Sequence, residues 1–335
     1  MGKYRKVYVV APAGFATGGV ELSHQLVDEL VGRGQEAYVV YVYKGRLAPG
    51  TEVPDVYRKY RVPVSDTVED SPDNMLVLPE IFFDLIYQFT RIRIGCWWMS
   101  VDNHYTNACL WDMIRFVPRW KDRVRQLYRF IRGERYRNSR VAMRRQNVRL
   151  IHLYQSVYAQ QHLYRAGFET VLPLSDYIHP DLFASSRVPK EDLILYNPKK
   201  GRRYVEKLRK RLPDCTFIPL KGYTREQLNE LFDRAKLYVD FGPFPGKDRI
   251  PREAVLHDCC LITGRFGASA YYEDVPIPGR YKFSMKGRIP WNEITCLVRR
   301  VFTEYGDCCR DFDLMRERIR SERSSFRQEV SELFL

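Results

Sequence analysis

Lys247-Asp248-Arg249-Ile250-Pro251-Arg252-Glu253 places three cations and two acids at what reads as the start of a short helix. Pro251 suits a first helical position, where a missing N–H costs nothing. Ile250 offers no capping oxygen, so the first N–H groups stay open at the positive end of the helix dipole. Open N–H groups beside Lys247, Arg249 and Arg252 predict an anion site, best suited to a phosphate. The bland alternative is a solvated turn with surface cations. A second set of reactive types stands at strand ends: Glu80 after one apolar run, Asp102 and His104 after Trp97-Trp98. Burial at such a place raises a carboxyl's pKa toward the range of a general base. Asp102 reads equally as a turn or cap residue, and His104 as an exposed loop histidine. His24 and His257 read as packing residues. A third set is Gly18-Gly19, in a turn where a phosphate or sugar approaches the backbone. The pattern is not G-x-G-x-x-G and no acid closes the following strand, which disfavours a dinucleotide.

The elements that must position these groups alternate along the chain. Strands are expected at 6–12, 36–43, 74–79, 93–101, 150–154 and 171–174, with helices at 20–31, 81–90 and from 155 through 165. Leu22, Leu26 and Leu30 share one helical face. A polar stretch at 175–191 with two prolines is the linker candidate. The alternation then restarts: strand 193–196, turn 197–201, helix 202–211, strand 216–220, helix 224–235, strand 236–241, the short helix and strand 259–263. Thr224 with Gln227 forms a capping box at the helix start. From 289 to 334 the pattern is helical and charged. Alternating strands and helices predict two doubly wound α/β domains, with ligands at the carboxyl ends of the strands in a cleft between them. The expected boundaries are 1–175, with a basic insert at 115–149, then 187–310, then a C-terminal helix at 311–335 packing back toward the first domain.

With 335 residues, 45% of them hydrophobic, the chain can build two cores. No run of eighteen apolar residues occurs, and the N-terminus enters a strand with no apolar signal region. Eight cysteines without a C-x-x-C pair argue against structural zinc and for a reduced, cytoplasmic protein. The net charge of +14 is concentrated between 115 and 149, where thirteen Arg or Lys face only Asp122 and Glu134, a net of +11. Arg119, Lys121, Arg123, Arg125, Arg129, Arg132, Arg144 and Arg145 alternate there with Trp120, Tyr128, Phe130 and Tyr136. Such a patch suits anionic headgroups at about 1 kcal/mol per basic residue, and equally suits nucleic-acid phosphates. The alternative is an Arg-rich solvated helix pair with no ligand.

Gly18-Gly19-Val20-Glu21, Asn197-Pro198-Lys199-Lys200-Gly201, and Arg252-Glu253-Ala254 followed by Cys259-Cys260-Leu261-Ile262 stand in this order on the strand pattern. Together they resemble the G-G-V-E turn, the basic turn ending in Lys-Gly and the E-A-x-x-x-G-x-P-V-I stretch of GT-B glycosyltransferases, most nearly family 4. Glu80, Trp97-Trp98, Ser100-Val101-Asp102-Asn103 and Gln155-Ser156-x-Tyr158-Ala159 are similar to a subgroup from envelope polysaccharide clusters.

The resemblance implies a nucleotide-sugar donor in the second domain and an acceptor in the first. Lys200 and the region of Arg249 would hold the diphosphate, and Glu253 would accept from the ribose hydroxyls. The loop 242–247 would cover the donor sugar, and Gly18 and Gly19 would let the backbone approach it. One departure concerns the family's second glutamate, eight positions before Glu253, which here is Pro245. Asp248 is the local acid, either taking over a sugar contact or marking a donor read differently. No Asp-x-Asp suits a nucleotide-bound divalent ion, so catalysis without a metal or other cofactor is expected, with Asp102, His104 and Glu80 as candidate bases. Three functions compete: a transferase docked on the inner membrane face that extends a lipid-linked glycan, a phage-type transferase acting on modified bases in DNA, and a binding protein that kept the fold and lost the chemistry.

Overall fold

The computed structural model describes residues 2–14, 17–105, 112, 123–124, 127–128, 131–132, 140–145, 149–183 and 188–335, without the side chains of 140–142. The chain divides into two compact units, Met1–Asp176 with Ser324–Leu335, and Tyr177–Arg323.

In the first unit the apolar runs form β1 (Val7–Pro12), β2 (Ala37–Tyr43), β3 (Arg46–Leu47), β4 (Met75–Pro79), β5 (Arg93–Trp98), β6 (Leu150–Tyr154) and β7 (Val171–Pro173). Among the described residues they make a seven-stranded sheet in the order β3-β2-β1-β4-β5-β6-β7. All neighbours are parallel except β2 and β3, which form a short hairpin. Strands buried on both faces read as continuous apolar runs, and Val7, Val9 and Val10 in β1 have no solvent exposure. The sheet order reverses beside β1, so the loops after β1 and β4 open at one strand end, where α/β folds place ligands.

Two expectations need correction here. The first helix, α1 (Gly18–Gly32), begins two residues early, and both glycines belong to its first turn. The expected helix at 81–90 is a 3₁₀ segment, Glu80–Gln88, with non-helical backbone at Phe82. Pro79 holds the chain extended into it, and its aromatic and β-branched residues are weak helix formers.

The second unit contains β8 (Glu191–Tyr196), β9 (Thr216–Pro219), β10 (Ala235–Asp240), β11 (Cys260–Gly264) and β12 (Lys282–Phe283), with described strand order β12-β11-β10-β8-β9. All of these pairs are parallel. The Thr224–Gln227 capping box forms as expected, its two hydrogen bonds at 3.3 and 3.0 Å. The last helix, Asp313–Phe334, spans the boundary between units. Its Phe326, Val330 and Phe334, four residues apart, are fully buried. Phe334 also accepts the Lys3 N–H at 2.9 Å, which ties the chain's two ends within the first unit.

Candidate functional site

In the second unit β10 lies between β8 and β11, so the loops after β8 and β10 leave the sheet side by side. Their backbones pass so closely that glycine is required on each. A Cβ on Gly201 would lie 2.6 Å from the Phe241 carbonyl carbon, and one on Gly242 would lie 2.5 Å from the Lys200 Cβ. Gly201 also has φ +59°, a left-handed conformation natural to glycine. This crossing fixes Lys200. Its ammonium pairs with Asp248 and lies 5.5 Å from the centroid of the Phe244 ring.

Asp240 ends β10 with its carboxyl buried, accepting from the Gly242 N–H at 2.9 Å and the Tyr238 hydroxyl at 3.2 Å. Burial pushes its pKa up to about 6 against the opposing pull of Lys200. The short helix runs Arg249–Leu256, so Pro251 is its third residue and not its first. That position still falls among the N–H groups with no intrahelical partner. Asp248 occupies the cap position, but its side chain goes to Lys200 and makes no capping bond.

The expectation of three cations crowding a bare helix start is corrected by their partners. Lys247 and Arg252 both pair with Glu322, at 2.9 and 2.8 Å. Arg252 is buried and also donates to the carbonyls of Asp248 and Lys247, which makes it a clamp on the loop. Glu253 is only 2% exposed and accepts from Arg225 at 2.7 Å, with Arg249 at 3.4 Å from its other oxygen. Buried charges need such partners, because an uncompensated one costs several kcal/mol. Arg225, Asp240 and Glu322 were missed in the sequence. Asp240 had a signal, an acid closing an apolar strand. Arg225 and Glu322 lie 28 and 69 residues from Glu253, and no spacing rule connects them.

In the first unit Glu80 follows directly on β4. Its carboxyl is buried and accepts the Met99 N–H at 3.0 Å, and burial pushes its pKa up to about 8. At neutral pH it therefore holds its proton. Asp102 and His104 lie in α2 (Val101–His104). His104 is buried and not the exposed loop residue of the alternative reading. Its Nδ1 lies 3.0 Å from the Glu80 carbonyl oxygen, which can only accept, so the proton sits on Nδ1. Its ring packs 4.6 Å from Trp98, and burial lowers its pKa to about 4. Asp102 is half-buried and accepts from the Tyr158 hydroxyl at 2.8 Å. Glu80 and His104 are thus brought together, while Asp102 turns to the helix Val157–Ala166. Trp97 and Trp98 are core residues whose indoles donate to the Leu174 carbonyl and to His152.

The glycine pair has no such tight packing at its second member, where a Cβ on Gly19 would meet only the Met99 sulfur at 3.6 Å. Tyr57 steadies the turn from outside by donating to the Thr17 carbonyl at 2.8 Å. His24 and His257 both pack as expected, His24 between Val20 and Tyr41, His257 against Asp233 at 2.6 Å.

Of the basic insert, Arg123, Arg132, Arg144 and Arg145 are exposed. Arg119, Lys121, Arg125 and Arg129 lie outside the described residues. Arg144 also donates to the Ala166 carbonyl at 2.7 Å, at the end of the helix Val157–Ala166. Among the described residues no cluster of three His, Cys, Asp or Glu is placed to hold a metal ion, and no helix is long and apolar enough to cross a membrane. Asp311-Phe312-Asp313 carries an Asp-x-Asp spacing, but its carboxylates face Arg280, Tyr281 and Arg316.

No protein-family model matches the chain, and no curated protein does. Several solved structures align with it over nearly the whole of both chains. HepE from Anabaena in complex with UDP-glucose aligns over 98% of both chains at 9% identity, with a TM-score of 0.59. Sucrose-phosphate synthase from Thermosynechococcus elongatus aligns over 98% of both chains at 12% identity and TM-score 0.59. The catalytic domain of starch synthase IV from Arabidopsis thaliana, bound to ADP and acarbose, aligns over 99% of this chain and 100% of its own at 11% identity and TM-score 0.56. At these identities the likeness establishes the fold, which is GT-B.

Proposed function

We propose that this chain is a glycosyltransferase of the family 4 type that binds a nucleotide-sugar in its second unit and passes the sugar to a lipid-linked glycan. The observation that carries the reading is the crossing of Gly201 and Gly242, which holds Lys200 beside Asp248 at the head of the helix that bears Glu253. On a fold shared with proteins solved with UDP-glucose and with ADP, that arrangement suits a nucleoside diphosphate.

In this reading Lys200 exchanges Asp248 for the diphosphate, and Arg249 and the helix N-terminus add to the field. Arg225 and Arg249 hold the Glu253 carboxylate in place, and its two oxygens have lone pairs to accept from ribose hydroxyls. The loop 242–247, anchored by Arg252, covers the sugar. In the transfer the bond from the sugar's anomeric carbon to the diphosphate breaks, and one to the acceptor oxygen forms. The acceptor's proton leaves to a base, and the leaving group's charge is met by cations, so the reaction needs no divalent ion. Asp102 is the base in this scheme because it alone of the three candidates reaches solvent. Glu80, protonated and buried, positions the Met99 backbone ahead of it.

The test is a thermal-shift and calorimetric panel of UDP, GDP, ADP, dTDP and CMP with their common sugars. A ligand at a hundred times its Kd adds about 2.7 kcal/mol of stability, which is readily seen as a melting shift. Silence across the panel from folded protein would refute the donor site. Binding without sugar transfer or donor hydrolysis would favour a protein that kept the fold and lost the chemistry.

A further inference from the structure

Two carboxylates act on Lys200, not one. Asp248 reaches its ammonium from the head of the short helix. Asp240 acts from the end of β10, where the lysine's charge pulls against the effect of burial on the Asp240 carboxyl. That carboxyl is only 3% exposed, in a strand flanked by β8 and β11. One oxygen accepts the Gly242 N–H at 2.9 Å and the other the Tyr238 hydroxyl at 3.2 Å. Accepting one N–H and one hydroxyl needs no charge, and a buried carboxylate costs more to desolvate than a neutral amide. The ionisable group is therefore more than the local backbone requires. Gly242 stands between it and the lysine. A Cβ there would lie 3.1 Å from Asp240 Oδ1, 3.1 Å from the Gly201 nitrogen and 2.5 Å from the Lys200 Cβ.

The groups around Asp240 come from four elements. Tyr238 stands two residues back on the same face of β10, and burial pushes its phenol up, so it stays neutral. Thr263, the register partner in β11, adds a fully buried hydroxyl. Lys200 comes from the turn after β8, and Asp248 and Glu253 from the short helix and its cap. Lys200 is the one cation of this set. We infer that Asp240 is a positioning residue of the donor site: through the Gly242 N–H it fixes the start of the loop 242–247, and it competes for the lysine that an incoming diphosphate must take over, so that donor binding brings a proton onto Asp240. The inference rests on the transferase reading for the identity of the ligand. A diphosphate placed near a carboxylate favours that group's neutral form, and by linkage the neutral form favours the diphosphate. Donor affinity is then highest below the free carboxyl's value of about 6 and falls as pH rises through it.

The probe is UDP-glucose, or the tightest nucleotide-sugar of the panel, because its diester-type phosphates do not titrate near neutral pH as those of a free diphosphate do. Isothermal titration with the full chain should give binding about fivefold tighter at about pH 5.5 than at about pH 7.5. Asp240→Asn keeps an acceptor for the Gly242 N–H and drops the charge. It should bind at both pH values as the unaltered chain does at the lower one. Asp240→Ala leaves that N–H bare, and should lose the pH dependence and bind about tenfold more weakly than Asp240→Asn. Amide hydrogen exchange on the ligand-free chain reads the positioning directly: exchange in 242–247 should quicken about tenfold in Asp240→Ala and change little in Asp240→Asn. A full pH dependence surviving in Asp240→Asn would overturn the inference, because a merely structural aspartate predicts that result. So would an Asp240→Ala chain that matches Asp240→Asn in affinity and exchange. Those two outcomes, with donor binding intact, refute Asp240 alone. Quickened exchange in Asp240→Ala, with no nucleotide-sugar bound by the folded unaltered chain, refutes the donor site and the inference with it, leaving Asp240 as an anchor of the loop.

Discussion

Replacing Asp248 by Asn tests whether this carboxylate holds the place of the donor's phosphate. Asp248 pairs with Lys200, their side chains 20 and 24% exposed, so the pair is neither fully solvated nor fully buried. Two unit charges about 4 Å apart at an effective dielectric of about 20 attract by roughly 4 kcal/mol gross. Desolvation and partial exposure offset most of that, leaving a net of about 1 kcal/mol. A diphosphate arriving at Lys200 must displace this partner and then sit beside its negative charge. Asp248→Asn removes both obstacles, so it should tighten a nucleoside diphosphate by about fivefold. Lys200→Ala should weaken the same ligand by at least as much. Isothermal titration with the diphosphate and with the matching nucleotide-sugar reads both effects. If Asp248 contacts the sugar, Asp248→Asn should improve the diphosphate while harming the nucleotide-sugar. Weaker binding of the free diphosphate would refute the placeholder argument, because no sugar contact is then available to explain the loss.

Gly201→Ala should destabilise the second unit by about 2 kcal/mol or more, since it meets both backbone strain and the Phe241 carbonyl; Gly19→Ala, with only a 3.6 Å contact, should cost far less in the same denaturant titration. Arg225→Ala strips Glu253 of its closer partner and should cost about 2 kcal/mol in stability as well as nucleotide affinity, while Arg225→Lys should restore part of each. Glu80 has a folded pKa raised to about 8, so the stability it contributes is fully present below its unfolded value near 4.5 and is lost as pH rises through about 8. Glu80→Gln, which keeps an acceptor for the Met99 N–H, should therefore gain melting temperature over the unaltered chain at pH about 8.5 and show no gain at pH about 4.5. Asp70 behaves oppositely: it accepts the N–H groups of Thr90, Arg91 and Ile92, which hold its pKa near 2, so its contribution is present above about pH 4 and lost as pH falls through about 2. Asp70→Asn should flatten the acid limb of a melting-temperature profile, and an unchanged limb would remove Asp70 from the account.

Much of this molecule is written locally. The strands of both sheets show as apolar runs because parallel strands are covered on both faces. The Thr224–Gln227 cap and the turn ending in Lys200-Gly201 are short-range patterns, legible without any partner. Glu253 and Asp248 could be singled out for their types, as could Glu80 and His104. Their states could not be read. Whether Glu80 is charged depends on burial beneath the strand 93–98, and His104 reads as exposed until Trp98 is seen packing on it. The cations around the short helix look available in sequence and are engaged in the fold, because Glu322 returns from 70 residues beyond Arg252 and Arg225 from 28 before Glu253.

The sequence by itself determined the alternation of strands and helices, the placement of Lys200 on a glycine turn, and the concentration of basic charge between 115 and 149. These follow from periodicity, turn chemistry and composition, each a property of neighbours along the chain. Tertiary structure alone decided which acid answers which cation, which carboxyl keeps its proton, and which arginine donates to the end of a helix. Those outcomes depend on burial and on distances set by crossover connections, and a carboxylate's energy changes by several kcal/mol between water and a packed interior.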